Sequence, residues 1–211
     1  MTDNGDIRFY IVEEEYGWLS NFWRAGQRMP WPERFARVVL TDDLYVKTNE
    51  HWYQANKADD LSTFCWIAKA PHPYLAMQAG RVCLKPNQST LRCLRPGWEQ
   101  VKVDVMLAGL RAKFSQNPDI KAKLLATGEA TIHEDSPSDA FWGGRSSLVC
   151  GCSRPNHAPH NTLGKLLMQV REELRMQQMR PSVWDDIFGE PPSKPSEPTY
   201  DYANGYGGAD P

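Results

Sequence analysis

The chain has 211 residues, 41% hydrophobic and 24% charged, with a formal charge of −2 at pH 7. That length suits one well-buried domain, and the composition excludes disorder along the whole chain. No apolar run reaches membrane-spanning length, which excludes a spanning helix.

From the N-terminus, 7–12 ("IRFYIV"), 35–40 ("FARVVL") and 43–47 ("DLYVK") are short β-branched and aromatic runs, with turn residues between the last two. They predict a small antiparallel sheet. Helical spacing then takes over at 50–58, 61–69, 73–80, 98–116, 118–126 and 162–179. Within 98–116, Trp98, Val101, Val105, Leu110 and Phe114 make an apolar stripe for the core. Asn117 as cap, Pro118 at the first helical position and Gly128 past the end delimit the next helix. Leu163, Leu166, Leu167, Val170 and Leu174 form a last stripe, with Pro181 as its stop. The fold class is therefore α+β: a single compact, mainly helical domain over 1–180. The segment between the last two helices is too polar and too rich in Gly and Pro for regular structure, and long irregular segments are often functional.

Residues 181–211 hold six of the 16 prolines, one lysine and six acids, and read as a disordered acidic Pro/Gly-rich tail. Residues 1–180 then carry 23 basic and 20 acidic residues, too balanced for a protein that tracks a long polyanion. A single phosphate-bearing ligand stays open. The N-terminus lacks a basic start followed by an apolar segment, and the five cysteines have no disulfide-framework spacing. An intracellular location, cytoplasmic or nuclear, with reduced thiols is expected. Cys150, Cys152, His157 and His160 invite a zinc reading, but a single residue separates the cysteine pair where structural sites use two to four. No metal and no cofactor is expected, and no Walker loop, GxGxxG or nucleophile elbow is present.

Three stretches can carry chemistry. In "NEHWYQANK" (49–57), helical spacing puts Glu50, Gln54 and Lys57 on one face, while Trp52 and Ala55 turn toward a core. A solvated face complementing the helix dipole is the plain reading, and Tyr53 and Gln54 argue instead for a surface that holds a ligand. In "EDSPSDAFWGG" (134–144), Glu134 and Asp139 sit near Trp142 and a glycine pair. Either they form a ligand site, or Ser136, Ser138 and Asp139 cap a turn with Trp142 in the core. In "GWLSNFW" (17–23), Ser20 and Asn21 stand between aromatics, where capping of a short helix is the commoner use.

Taken in order with 97–128 and 161–175, these stretches resemble the signature blocks of the NADAR family, which includes the riboflavin-intermediate N-glycosidases. The match runs from about Phe9 to Leu174. The resemblance implies hydrolysis of N-glycosidic bonds between ribose and an amino group. Its substrates would be phosphoribosylamino pyrimidines or ADP-ribose on the amino group of guanine in DNA or RNA. It places the catalytic acid at Glu50, the lysine at Lys57 and a second carboxylate at Asp139. Substrate binding falls to Trp18, Ser20, Asn21, Tyr53, Gln54, Trp98, Trp142 and Gly143, with the two tryptophans 98 and 142 as aromatic walls. Residues 145–160 and the acidic tail depart from the family pattern, which bears on substrate choice.

Two mechanisms are open. Neutral Lys57, its pKa lowered by burial, forms a Schiff base at C1 while Glu50 moves the proton; or Glu50 and Asp139 work on a water without a covalent step. Guanine-linked ADP-ribose is preferred, since no fused pyrimidine-pathway domain is visible in this chain. A monomer is expected. A module that binds ADP-ribose without turnover is the alternative from another class.

Overall fold

A computed structural model describes residues 5–39, 43–83, 94–144 and 159–188. The order is β1 (Ile7–Phe9), β2 (Gln27–Pro30), β3 (Asp43–Val46), α1 (Asn49–Ala55), α2 (Leu61–Ala68), α3 (Pro73–Cys83), α4 (Trp98–Gln116), α5 (Pro118–Ala126), β4 (Ile132–Glu134) and α6 (Thr162–Phe188). Contacts divide the chain at Met176, so Met1–Met176 is one compact unit and Gln177–Pro211 a second. Among the described residues no helix is long and apolar enough to cross a membrane.

The class is α+β with helices in the majority, and the strands fall in two separate pairs. β2 and β3 are antiparallel, with Gln27 opposite Val46 and Met29 opposite Leu44. β1 and β4 are parallel, with Ile7 opposite Ile132 and Phe9 opposite Glu134. The expected strand at 35–40 is not formed. A 3-10 turn covers Glu33–Phe35 instead, followed by further turn, and β3 takes 27–30 as its partner. "QRMP" was silent in the sequence because its inward residues are Gln27 and Met29 and it ends on a proline, which an edge strand tolerates. β4 lies inside the stretch expected to be irregular; only its pairing with residues far away in sequence makes it a strand. α6 continues through Pro181 to Phe188, with one backbone donor lost at the proline. Residues 189–211, the rest of the predicted tail, lie outside the described residues.

α1 organises the helices. It packs against α2, α3 and α4, and every residue from Asn49 to Ala55 is buried. Its start is fixed by Thr48, whose hydroxyl accepts from the His51 amide at 3.4 Å and pairs with His51 Nδ1 at 2.8 Å. His51 Nε2 lies 3.0 Å from the Ala70 carbonyl, so Nε2 carries the hydrogen and Nδ1 accepts. Burial lowers the His51 pKa and keeps the ring neutral in this role. Two apolar clusters flank the helix: Trp52 and Ala55 enter one with Met29, Phe64 and Ile67, and Tyr53 enters the other with Leu110, Phe114 and Leu167.

α4 crosses α1 at Gly109. A Cβ there would collide with Asn49 Oδ1 and stand 2.7 Å from Trp52 Cδ1, so only glycine permits this approach. Lys113, fully buried on the same helix, donates to the carbonyls of Trp18 (2.7 Å), Leu19 (3.3 Å) and Ser20 (2.8 Å). It thereby ties the 17–20 turn to α4. Gly109→Ala is expected to lower the unfolding free energy by about 1–3 kcal/mol through overpacking. A urea midpoint equal to that of the wild type would show that α1 and α4 separate without cost.

Candidate active site

Glu50, Tyr53, Gln54 and Lys57 face a cavity of about 390 Å³. Asn21 and Phe22 close it from the N-terminal turn, Met77 and Arg81 from α3, and Trp98, Lys102 and Met106 from α4. The segment after β4 supplies Glu134, Ser136, Ser138, Asp139, Phe141 and Trp142. The polar face of α1 is thus internal: Glu50, Gln54 and Lys57 are each only 5–6% exposed.

Buried amides hold this face in place. Asn49 Nδ2 donates to Asn21 Oδ1 at 2.9 Å, Gln27 Nε2 to the Gly109 carbonyl at 3.1 Å, and the Glu50 amide to the Asn21 carbonyl at 3.0 Å. Gln54 Nε2 donates to Glu50 Oε1 at 2.7 Å, which orients the carboxyl and leaves Oε2 to the cavity. Gln54 itself fits only because residue 80 is glycine, since a Cβ there would overlap its Oε1.

Glu50 and Lys57 are seven residues apart, about 10 Å of helical rise, and form no ion pair. Lys57 Nζ lies instead over the Tyr53 ring at 5.1 Å and the Trp98 ring at 6.0 Å. Burial lowers the Lys57 pKa to about 8, with the Glu50 charge opposing. Burial likewise raises the Glu50 pKa, against the Gln54 hydrogen bond and the Lys57 charge. Glu134 is pushed up to about 8, first by burial and then by Asp139 and Glu50. Its Oε2 is buried without a hydrogen-bond partner. Near pH 7 the cavity therefore holds a neutral carboxyl at Glu134 and a lysine that gives up its proton about 300-fold more readily than a free one.

A family model for the NADAR domain matches residues 8–175. The chain belongs to the NADAR family. N-glycosidase Npun_R5314 of Nostoc punctiforme is 37% identical over 172 residues, covering 80% of this chain and 92% of that protein. N-glycosidase YbiA of Escherichia coli is 34% identical over 171 residues, covering 81% of this chain and 89% of that protein. The NMR structure of YbiA superposes with a TM-score of 0.63 at 32% identity, covering 85% of this chain and 90% of that one. Riboflavin biosynthesis protein VVA0006 of Vibrio vulnificus is 34% identical over 169 residues, which make up only 38% of its length.

The site residues expected from the NADAR resemblance fall into two groups. Glu50, Lys57, Asp139, Asn21, Tyr53, Gln54, Trp98 and Trp142 all line the one cavity. Trp18, Ser20 and Gly143 do not. Trp18 packs edge-on against Phe114 at 6.3 Å in the core, and Ser20 Oγ accepts from the Phe22 amide at 3.2 Å. Gly143 is required for space: a Cβ would stand 2.8 Å from both Cβ and Oε2 of Glu134. Trp98 and Trp142 form no ring contact with each other. Each meets Tyr53, at 5.2 Å and 5.3 Å, so the tyrosine links the two expected aromatic walls. Asp139 also keeps its plain capping use, Oδ1 accepting from the amides of Phe141 (3.0 Å) and Trp142 (2.9 Å).

Tyr10, Arg81 and Lys102 were missed as lining residues. Met77 and Arg81, four apart on α3, share a helix face, but nothing local marks that face as a wall. Cys150, Cys152 and His157 lie outside the described residues, and His160 meets the Phe141 ring at 5.8 Å.

Glu134 makes stability depend on pH with a definite sign. Its folded pKa is about 8 against an ordinary 4.5, so between those values the folded state holds a proton that the unfolded state has lost. Its contribution therefore weakens as pH rises from 4.5 to 8, and below 4.5 the penalty vanishes. Glu134→Gln is expected to raise the melting temperature at pH 8.5 by about 2–4 °C or more and to leave it unchanged at pH 4. Equal melting temperatures for the two proteins at pH 8.5 would mean that the carboxyl is solvated.

Proposed function

We propose that this protein is an N-glycosidase that hydrolyses the bond between ribose C1 and an exocyclic amino group, acting on ADP-ribose carried by guanine in nucleic acid. One observation carries the reading: a buried lysine and a buried carboxyl, unpaired with each other, face the same aromatic-walled cavity. The relatives named N-glycosidase support the reaction class. Arg81 supports the substrate, since it is exposed at the cavity lining and forms no hydrogen bond or ion pair among the described residues. A pyrophosphate leaving the cavity would meet it. A second reading, hydrolysis of phosphoribosylamino pyrimidines, draws on the relative named a riboflavin biosynthesis protein.

A sugar held through an exocyclic amine can open its ring to an imine once the ring oxygen takes a proton. Protonated Glu50, its pKa raised by burial, is the donor. The Lys57 lone pair then forms a bond to C1, a proton moves from Lys57 nitrogen to the base nitrogen, and the base leaves as its neutral amine. Water adds to the Lys57 Schiff base with Glu50 taking its proton. Loss of the sugar aldehyde returns the lysine. The gap between Glu50 and Lys57 suits this division of labour, because acid and nucleophile must address the ring oxygen and C1 from different sides.

Lys57 must be neutral to attack and Glu50 protonated to donate, so kcat/KM is expected to pass through a maximum with pH, falling on the acid side as Lys57 takes up a proton and on the alkaline side as Glu50 ionises. Glu50→Gln should lower kcat by about 10²–10⁴-fold. Borohydride added during turnover should leave a reduced sugar adduct on Lys57, detected by peptide mass. Full activity in Lys57→Ala with no adduct would instead assign the chemistry to a water activated by Glu50 or Asp139. Guanine-linked ADP-ribose and the phosphoribosylamino pyrimidines are to be compared as substrates. Faster release from the pyrimidines selects the second reading, and tight binding of ADP-ribose with no product would make the protein a binding module.

A further inference from the structure

On the other side of α1 from the cavity, Arg34, Arg37 and Arg95 line an open cleft of about 670 Å³ with Glu33, Trp52 and Asn56. They come from two segments, Arg37 and Arg95 being 58 residues apart, that each attach to residues 56–58. The Arg95 amide donates to the Lys57 carbonyl at 2.7 Å, and Ala58 bridges to Leu94. Arg34 Nη2 donates to the Ala58 carbonyl at 3.1 Å and the Asn56 carbonyl at 3.4 Å, while its guanidinium lies over the Phe35 ring at 4.4 Å.

The guanidinium of Arg34 is thus fixed, yet its Nε is buried with no hydrogen-bond partner. None of the three arginines forms an ion pair with a carboxylate among the described residues. Arg34 is lowered to about 10 by burial and by the nearby Arg95 charge, with Asp59 opposing. A held guanidinium beside a second arginine charge, with no carboxylate paired to either, is short of an oxyanion, and a guanidinium fork matches a phosphate. Asn56 lines this cleft and Lys57, the next residue, lines the cavity; Arg95 and Trp98 divide in the same way. The cleft and the cavity therefore lie on either side of the same short stretch of chain.

We propose that this cleft seats a backbone phosphate of the strand that carries the modified base, held by Arg34, Arg37 and Arg95 while the base-linked sugar enters the cavity. The assignment rests on the nucleic-acid reading above. It adds a strand-binding site separate from the reacting groups.

The test measures anisotropy of a labelled, unmodified single-stranded oligonucleotide, which needs no chemistry. Arg37→Ala/Arg95→Ala should bind about tenfold more weakly than wild type, with a salt dependence shallower by about one unit of slope. Neutralising two exposed lysines elsewhere, Lys123→Ala/Lys165→Ala, should leave binding unchanged. Turnover of guanosine-linked ADP-ribose, which has no strand, should be the same in all three proteins. The proposal is overturned if the arginine variant binds the oligonucleotide like wild type, if the lysine variant weakens equally, or if wild type shows no salt-dependent binding. Inorganic phosphate that binds wild type but not the arginine variant, with oligonucleotide affinity unaltered, assigns the cleft to a free phosphate ester and also overturns it. Failure of wild type to turn over the nucleoside would remove the glycosidase reading and leave the anisotropy result intact.

Discussion

The structure depends on burying a polar helix. α1 has no solvent face, so each hydrophilic side chain on it must find a partner or carry the cost of lacking one. Most find one: Thr48 and His51 satisfy each other and Ala70, Asn49 reaches Asn21, and Gln54 reaches Glu50. Glycines at 80 and 109 let α3 and α4 close over these groups. What remains after that pairing is Gln54 Oε1, buried without a partner, together with Lys57 and one oxygen of Glu50, whose residues line the cavity. The site is the part of a buried polar helix that its own fold leaves unsatisfied.

Two buried lysines show what that means. Lys113 and Lys57 are both withdrawn from water, and burial lowers the pKa of each, to about 7 and about 8. Lys113 spends its three donors on three carbonyls, which favour the charged form and fasten one turn of chain to α4. Lys57 has only aromatic faces beside it, which attract a cation but accept no proton in a conventional hydrogen bond. Burial serves anchoring at Lys113, while at Lys57 the Glu50 charge offsets it only in part and leaves the readily deprotonated lysine that the proposed mechanism requires.

That distinction marks how far the sequence could be read. Helical spacing put Glu50, Gln54 and Lys57 on one face and turned Trp52 and Ala55 to a core, because periodicity is a local property. Whether that face met water or protein is a tertiary fact, and the solvated reading was physically sound until α3 and the 134–142 segment covered it. β2 and β4 were invisible for the same reason: "QRMP" and "IHE" lack strand patterning and pair only with distant residues. Gly143 was read as making room for a ligand, whereas it makes room for Glu134. A glycine signals close approach without naming what approaches. The three-arginine cleft escaped altogether, since Arg95 is scattered in sequence from Arg34 and Arg37, and net charge cannot show such convergence.

Three of the four carboxyl groups that line the cavity, Glu50, Glu134 and Asp139, tie these features together. Burial and the Asp139 charge raise the pKa of both Glu50 and Glu134, and Glu50 adds to the rise at Glu134, so the cavity retains protons that solvated carboxyls would have lost. Such titrations belong to the coupled groups more than to any one of them. Lys57 feels Glu50 and Asp139 with the opposite sign: their negative charge makes its ammonium harder to deprotonate. In the proposed mechanism acid and nucleophile are therefore mutually dependent, since a protonated Glu50 favours a neutral Lys57. A substrate that excludes water from the cavity strengthens both conditions at once, because desolvation favours the uncharged form of each group.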